Sequence, residues 1–318
     1  MKRHRSPKQA FELYKQKKKM CLAEEKRIKG GIFRKVLRPL LRFVLFMQRK
    51  LCGFKVEFIN KALETTPKPR IFAVSHIGKW DFEIVNEIIK PQFYTLAADF
   101  MNMNGKLSGF FMNAFGVIFV DEYDKEDRHN TKELLKLYLK QGNNLMMFPE
   151  AAWNFSENEI IYDISWGCVE AAIDANAVIV PISVEQFGKR FVINVGRNFT
   201  PSEKETSIVE LRDAMATMKW EIWDREKITT RRELPYDYWE RFIRERIAEW
   251  PGYSIHEQIT NTYIPRAKKE YFEVLRDMRR LKISSKNAFL IMGLDMFIKT
   301  YTTHEGIYSG GEHGSSES

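Results

Sequence analysis

The sequence of 318 residues is 44% hydrophobic, which is enough to bury one large core or two smaller ones and excludes a chain disordered over its whole length. Its net charge of +9 originates at one end, because residues 1–55 carry 18 Lys and Arg against 3 acidic residues whereas residues 56–318 carry 33 against 39. Three cysteines without a C-x-x-C or Cys/His metal spacing favour a reducing, cytosol-facing compartment over a disulfide framework.

The first predicted unit is a basic arm, residues 1–55, with a net charge of +15. Clustered Lys and Arg attract the phosphates of anionic lipids or of nucleic acids. The segment from Met1 to Lys29 is polar and basic where a signal peptide would be apolar, and no apolar run approaches the ~20 residues of a membrane-spanning helix. We therefore expect any membrane contact to be peripheral, on the cytoplasmic, inner face of a bacterial-type membrane.

The segment from Ile32 to Cys52 has the periodicity of a basic amphipathic helix. Its periodic apolar residues are Phe33, Leu37, Leu40, Leu41, Val44, Met47 and Leu51, and its basic residues elsewhere on the helical wheel are Arg34, Lys35, Arg38, Arg42, Arg49 and Lys50. Pro39 is expected to kink this helix or split it in two. Two interpretations stay open: the helix packs on the core with a solvated basic face, or it lies in the plane of an anionic membrane.

Strand-like and helix-like segments then alternate over residues 56–200, which predicts an α/β domain with a largely parallel sheet flanked by helices. The predicted strands are Ile71–Val74, Phe93–Ala97, Val117–Val120, Leu145–Phe148, Val178–Ile182 and Phe191–Val195, and the predicted helices include Phe82–Lys90, Lys132–Gln141 and Trp166–Ala175. Residues 201–308 are predicted to form a helical C-terminal extension. Residues 309–318, rich in Gly and Ser, are predicted to be a disordered tail.

A histidine and an aspartate at H-x4-D spacing, His76 and Asp81, lie between the first predicted strand and the helix after it. On a continuous helix they would point about 140° apart, so they can meet only if the chain turns between them. Gly78 permits that turn, and Asp81 then falls at a helix N-terminus, where a carboxylate is favoured and can orient an imidazole. The spacing alone is equally compatible with a histidine that has no function in a loop and an aspartate that only caps the helix.

Three downstream blocks make the pattern more specific: Gly116 to Asp121, Phe148-Pro149-Glu150, and Val178 to Ile182. With His76 and Asp81, their order and spacing resemble the four sequence blocks of the glycerolipid, or lysophospholipid, acyltransferase superfamily, over about residues 70–200. The resemblance implies an α/β enzyme that moves a fatty acyl group from acyl-CoA or acyl carrier protein, a thioester co-substrate, to a hydroxyl. It further implies His76 as general base oriented by Asp81, with no metal and no other cofactor.

The departures from that family concern the acceptor. The family commonly places an arginine after the Gly116 block, reads Phe-Pro-Glu-Gly-Thr-Arg at Phe148, and has a lysine before the next helix, whereas this chain has Glu122, Ala151-Ala152-Trp153 and Trp166. Since guanidinium groups grip phosphate, these changes favour a sugar, polyol or neutral lipid acceptor over lysophosphatidic acid. Besides Glu122, Trp153 and Trp166, the predicted substrate-binding residues are Gly78, Lys79 and Glu150, and Lys106 could compensate in part for the lost cations.

Two other functions remain open at this stage. A glycosyltransferase could bind a metal ion through Asp121 and Asp124, which stand in an acidic loop. A non-enzymatic lipid-binding or nucleic-acid-binding protein could use the basic arm. The net acidic remainder of the chain and its lack of a recognisable nucleic-acid module make nucleic acid an unexpected partner, and an anionic membrane surface the expected one.

Overall fold

The computed structural model describes residues 6–26, 31–61, 63–78, 80–98, 100, 106–154 and 159–229; no side chain is described for 7, 31–36 and 106–108. A seven-stranded sheet in the order β1-β7-β6-β2-β5-β3-β4 forms its centre. The strands are β1 Lys55–Asn60, β2 Arg70–Val74, β3 Phe93–Ala97, β4 Val117–Phe119, β5 Asn144–Met147, β6 Val178–Phe187 and β7 Arg190–Val195. The predicted tail and residues 230–308 of the predicted extension lie outside the described residues.

Helices flank this sheet, as the α/β prediction requires. They are α1 Pro7–Ala23, α2 Gly31–Leu51, α3 Trp80–Ile88, α4 Lys106–Phe115, α5 Lys125–Lys140, α6 Gly167–Asp174 and α7 Lys204–Arg225. Every neighbouring pair of strands is parallel except β6 and β7, which form an antiparallel hairpin turning at Gly188 with φ of 60°. The predicted fold class, a largely parallel sheet flanked by helices, is confirmed.

The core has one apolar layer on each face of the sheet. On β2, Phe72 and Val74 point into the layer shared with α2, α3 and α4, while Ile71 and Ala73 point into the layer shared with α5, α6 and α7. All four side chains have no exposed surface. A central parallel strand covered on both faces reads as a continuous apolar run, which is why β2 was recognisable in the sequence.

The N-terminal helix α1 covers the open edge of the sheet at β4. An edge strand exposes unpaired backbone groups. Here two side chains of α1 form hydrogen bonds with the N–H and the carbonyl of Phe119. The Phe119 N–H donates to the Tyr14 hydroxyl at 3.1 Å, and the Lys18 ammonium donates to the Phe119 carbonyl at 2.7 Å. The arm therefore does not hang free: its first helix hydrogen-bonds the last residue of the outermost strand.

Ion pairs fasten α1 to the segment that follows β4. Lys18, fully buried, donates to Asp127 at 2.6 Å and to the hydroxyl of Thr131 at 2.8 Å. Lys15 contacts the carboxylates of Asp121 and Asp124 at 2.6 and 3.1 Å. At least two lysines of the arm, Lys15 and Lys18, are thus paired within the protein and are not free to bind a phosphate.

Helix α2 is continuous through Pro39, so the predicted split does not occur. Three of its arginines face the domain. Arg38 stacks on the ring of Phe93 at 4.1 Å. Arg42 donates to the backbone carbonyl of Glu87, and Arg49 donates to its carboxylate. Its outward face is apolar and consists of Leu40, Phe43, Val44, Met47 and Leu51, each at least 41% exposed. The expectation that the helix packs on the core is met by Leu41 and Leu45, which are buried. The expected solvated basic face does not hold for Arg38, Arg42 and Arg49, because Phe93 and Glu87 offer them partners inside the fold.

No helix in the described part of the chain is both long enough and apolar enough to cross a membrane. Helix α2 is long enough for this purpose, but its arginines and lysines interrupt the apolar sequence.

Replacing Lys18 with Met should destabilise the protein strongly. The methionine fills the space of the lysine stem but leaves the Asp127 carboxylate buried without its counter-ion, which costs about 3–5 kcal/mol of unfolding free energy. Lys17→Met, one residue away and exposed, is the matched control and should change the free energy by less than about 0.5 kcal/mol. Urea unfolding of both variants measures the difference, and equal stability would show that the pair does not hold α1.

Candidate active site

The candidate site lies where the carboxyl ends of β2, β5 and β6 meet, the edge at which parallel sheets present functional residues. Ser75 anchors the chain leaving β2 to its neighbour β6. Its N–H donates to the Ile182 carbonyl at 2.9 Å, and its hydroxyl accepts from the Val184 N–H at 2.8 Å. The next residue, His76, therefore leaves a fixed point of the sheet.

His76 and Asp81 meet as their spacing predicts. The distance between His76 Nδ1 and Asp81 Oδ2 is 2.9 Å, and the same oxygen accepts from the N–H groups of Ile77 at 2.6 Å and Gly78 at 3.1 Å. Asp81 is fully buried in the first turn of α3. Because an ionised carboxylate can only accept, Nδ1 carries the proton and Nε2 is the nitrogen left to take up another.

Aromatic rings flank the imidazole. The ring of His76 stacks on Phe148 with centroids 4.0 Å apart and meets Trp153 edge to face at 6.0 Å. The imidazole remains 20% exposed beside the buried Asp81, so a substrate can reach it. The predicted residue Trp153 thus lies at the site, whereas Phe148 was known only as part of a motif.

Glu150 lies beneath His76 and is only 3% exposed. Its carboxylate accepts from the His76 N–H at 2.8 Å, the Tyr162 N–H at 3.0 Å and the Asn154 side-chain amide at 3.3 Å. Burial raises the pKa of Glu150, opposed by nearby Lys219 and by the two backbone donors. Substrate binding by Glu150 stays a prediction, but the contacts of this carboxylate are with the protein.

Asn154 is a residue of the site that the sequence did not reveal. Its N–H donates to the His76 carbonyl at 2.6 Å, and its side chain, with Asn154 only 1% exposed, contacts Glu150 and the carbonyl of Glu159. The only signal available was a polar residue between Trp153 and Phe155 in an otherwise apolar stretch.

The turn after Glu150 keeps a glycine-like backbone without a glycine. Ala151 has a φ of +58°, in the left-handed region that an L side chain rarely adopts, and its N–H donates to the Phe148 carbonyl at 3.0 Å. Ala151 stands where the acyltransferase motif Phe-Pro-Glu-Gly-Thr-Arg has its glycine. The shape of the turn is therefore retained although the residue has changed.

The remaining predicted residues are placed separately. Trp166 precedes α6, and the ammonium of Lys204 lies 4.6 Å from the centre of its ring, so a cation does reach this position from a distant part of the chain. Glu122 is exposed, and its carbonyl accepts from Arg128. Lys79 lies outside the described residues, and no side chain is described for Lys106.

The backbone amides at the His76 turn are already engaged. Since Asp81 accepts from Ile77 and Gly78, and Glu150 accepts from His76, these three N–H groups are not available to a developing oxyanion. Donors for an oxyanion would therefore have to be groups other than these three amides.

The carboxylates considered for a metal ion have other partners. Lys15 binds both Asp121 and Asp124, and its hydrogen bond is the main reason that the pKa of Asp121 is lowered. Within the described residues, no three His, Cys, Asp or Glu side chains come together as metal ligands would. Asp124 also caps α5 by accepting from the N–H groups of Glu126 and Asp127.

The chain is similar to known proteins in a family model and in its fold. Residues 55–185 match the model of the acyltransferase family. Among solved structures, the chain resembles the 1-acyl-sn-glycerophosphate (LPA) acyltransferase PlsC from Thermotoga maritima, with a TM-score of 0.50 and 11% sequence identity over 68% of this chain and 98% of that one. No curated protein matched the sequence.

Proposed function

We propose that this chain, whose residues 55–185 match the acyltransferase family model, is a member of the glycerolipid acyltransferase superfamily and moves a fatty acyl group from a thioester to a hydroxyl of a lipid or related acceptor. The observation that carries the proposal is the pair formed by His76 Nδ1 and Asp81 Oδ2 at 2.9 Å, at the carboxyl edge of the sheet. In this arrangement His76 is the general base, and Asp81 fixes its tautomer.

The proposed reaction is direct transfer. His76 Nε2 takes the proton of the acceptor hydroxyl as its oxygen attacks the thioester carbonyl, and the tetrahedral intermediate then collapses with loss of the thiolate, which receives that proton. An ester and a free thiol result, so atoms and charges balance. The sequence has no G-x-S-x-G nucleophile motif, in keeping with a reaction without an acyl-enzyme.

The surroundings of His76 suit the charge that this step creates. When the imidazole becomes imidazolium, Asp81 provides the negative charge at Nδ1 and the stacked face of Phe148 provides a favourable cation–π contact. Both groups are in place before substrate binds, so little rearrangement is needed during proton transfer.

An apolar groove between helices offers a place for the acyl chain. It has a volume of about 350 Å³ and runs between α2, α3 and α4. Its lining includes Phe82, the residue after Asp81, together with Leu45, Met112 and Phe115. We propose that the acyl chain lies here, because an apolar chain gains from leaving water and the groove is lined by Phe82, which follows Asp81 on α3.

His76→Ala should lower kcat for acyl transfer by about 10²–10⁴-fold, the usual contribution of a positioned base, while leaving the fold intact. Asp81→Asn should impair transfer severely but less completely, because an amide keeps part of the orienting hydrogen bond. His129→Ala, at an exposed histidine of α5, is the control and should retain activity. Thiol release coupled to ester formation measures the rate, and wild-type turnover by folded His76→Ala protein would disprove the mechanism.

We also propose that the outward face of α2, defined above, docks the enzyme on an anionic membrane. Its arginines bind the domain, so an aqueous environment would leave five apolar side chains exposed on one stripe. Lys50 at the end of the helix and Lys17 and Lys19 of α1 are exposed and can meet lipid phosphates. The buried free thiols of Cys21 and Cys168 favour the cytoplasmic face of that membrane.

Substituting the outward face of α2 should release the enzyme from membranes. Phe43→Ser with Met47→Ser removes two apolar side chains that contribute on the order of 1.5–3 kcal/mol each when fully buried, so binding to phosphatidylglycerol liposomes should fall at least tenfold. Val209→Ser on α7, similarly exposed, is the control. Residual binding should weaken as salt rises. Unchanged co-sedimentation of the double variant would contradict the proposal.

The acceptor is proposed to be a neutral lipid, a polyol or a sugar rather than lysophosphatidic acid. Trp153 stands beside His76 at a position where the resembling family tends to have a cation, and a desolvated phosphate without partners is costly. At the third replaced position, the ammonium of Lys204 lies over the ring of Trp166. This ammonium also pairs with the carboxylate of Glu170.

Competition between acceptors tests this proposal. With one acyl thioester, kcat/KM should be higher for a neutral monoacyl lipid or a glycan than for lysophosphatidic acid, and Trp153→Arg should raise the value for lysophosphatidic acid specifically. Preference of the unmodified enzyme for lysophosphatidic acid by tenfold or more, about 1.4 kcal/mol in transition-state free energy, would overturn the proposal.

A further inference from the structure

We propose that Glu150 and Asn154 are positioning residues that hold the peptide of His76 and thereby aim its imidazole. This inference rests on the proposed role of His76 as the general base. It assigns to Glu150 a task different from substrate binding, and it assigns a task to Asn154 for the first time.

Both backbone hydrogen-bonding groups of His76 are held by one loop. The His76 N–H donates to Glu150 Oε1 at 2.8 Å, and the His76 carbonyl accepts from the Asn154 N–H at 2.6 Å. The two partners are four residues apart, on either side of the left-handed Ala151. Because β2 and β5 are neighbouring parallel strands, this loop emerges directly beside His76.

The two holding residues are also linked to each other. The side-chain amide of Asn154 donates to Glu150 Oε2 at 3.3 Å and to the Glu159 carbonyl at 3.1 Å, and the Tyr162 N–H donates to Glu150 Oε2 at 3.0 Å. Burying a carboxylate is costly, so it persists where donors surround it. The buried carboxylate therefore joins His76, the turn and the segment at Tyr162 into one rigid unit.

This unit completes the restraint of the catalytic turn. Ser75 is tied to β6, the peptide of His76 to the loop after β5, and Ile77 and Gly78 to Asp81. Four successive N–H groups thus have defined acceptors. Misplacing a reacting group by about 1 Å can reduce turnover about 10²-fold, so releasing the His76 peptide should affect the chemical step.

A positioning role and a substrate-binding role predict different kinetics. If Glu150 acts through His76, its loss lowers kcat and leaves KM for donor and acceptor nearly unchanged. If Glu150 binds the acceptor, its loss raises the acceptor KM. The tautomer of His76, seen in the nitrogen chemical shifts of its ring, responds to positioning and not to a missing substrate contact.

The experiment compares Glu150→Gln and Asn154→Ala with the control Asp163→Asn, an exposed carboxylate of the adjacent segment. Glutamine keeps the size of Glu150 but offers one acceptor oxygen, so at least one of its three donors loses its partner. We expect kcat to fall about 10–100-fold in both variants, KM to stay within about twofold, and the Nδ1–H population of His76 to decrease. The control should match the unmodified enzyme in all three.

Wild-type kcat in both folded variants, or a rise in acceptor KM with kcat preserved, would overturn the inference. Thermal unfolding identifies a variant that fails to fold, in which case the other variant decides. The nitrogen spectrum of ¹⁵N-histidine-labelled protein, with the His76 signals identified by their absence in His76→Ala, tests positioning even without activity. Should His76→Ala remain active, the proposed base fails, while unchanged His76 shifts in Glu150→Gln would reject the positioning role separately.

Discussion

The arrangement of the active site depends on a single buried carboxylate oxygen, Oδ2 of Asp81. This atom accepts from the imidazole of His76 and from the amides of Ile77 and Gly78, so it shapes the turn and orients the imidazole at once. The shape of the turn in turn allows Glu150 and Asn154 to reach the peptide of His76 from the neighbouring strand. Removing this oxygen would therefore free the whole turn, because three hydrogen bonds would be lost together.

Local signals in the sequence were sufficient for six of the seven described strands and for the meeting of His76 with Asp81. Strand β2 is a short, wholly apolar run because both its faces are covered, and the pairing of His76 with Asp81 follows from a glycine-containing turn before a helix. Strand β1 was missed because all its residues are half-exposed or exposed, and its partner β7 lies far away in the sequence. The helix α1 was missed because it is strongly basic and its charges find partners only in the fold.

Neither the orientation of α2 nor the hydrogen bonds of Glu150 and Asn154 to the peptide of His76 could be predicted, and the physical reason is the same. Periodicity shows that a helix has two faces but not which one meets the protein, and here the partners that decide it, Phe93 and Glu87, are about 40 to 55 residues away. Glu150 stood in a motif, but its hydrogen bond to the His76 amide spans 74 residues. Such pairings become visible only when parallel strands bring two loops to one edge.

The attachment of α1 to β4 has a consequence for the order of events during synthesis. Tyr14 and Lys18 are made early, but the groups they bind, from Phe119 to Thr131, follow 101 to 113 residues later. Most of the stability of a helix in a protein comes from its packing against the rest of the fold, so α1 is stabilised when the emerging sheet supplies its edge. Closing so long a loop is slow compared with local folding, which makes docking of the first helix a late step in the maturation of the nascent chain.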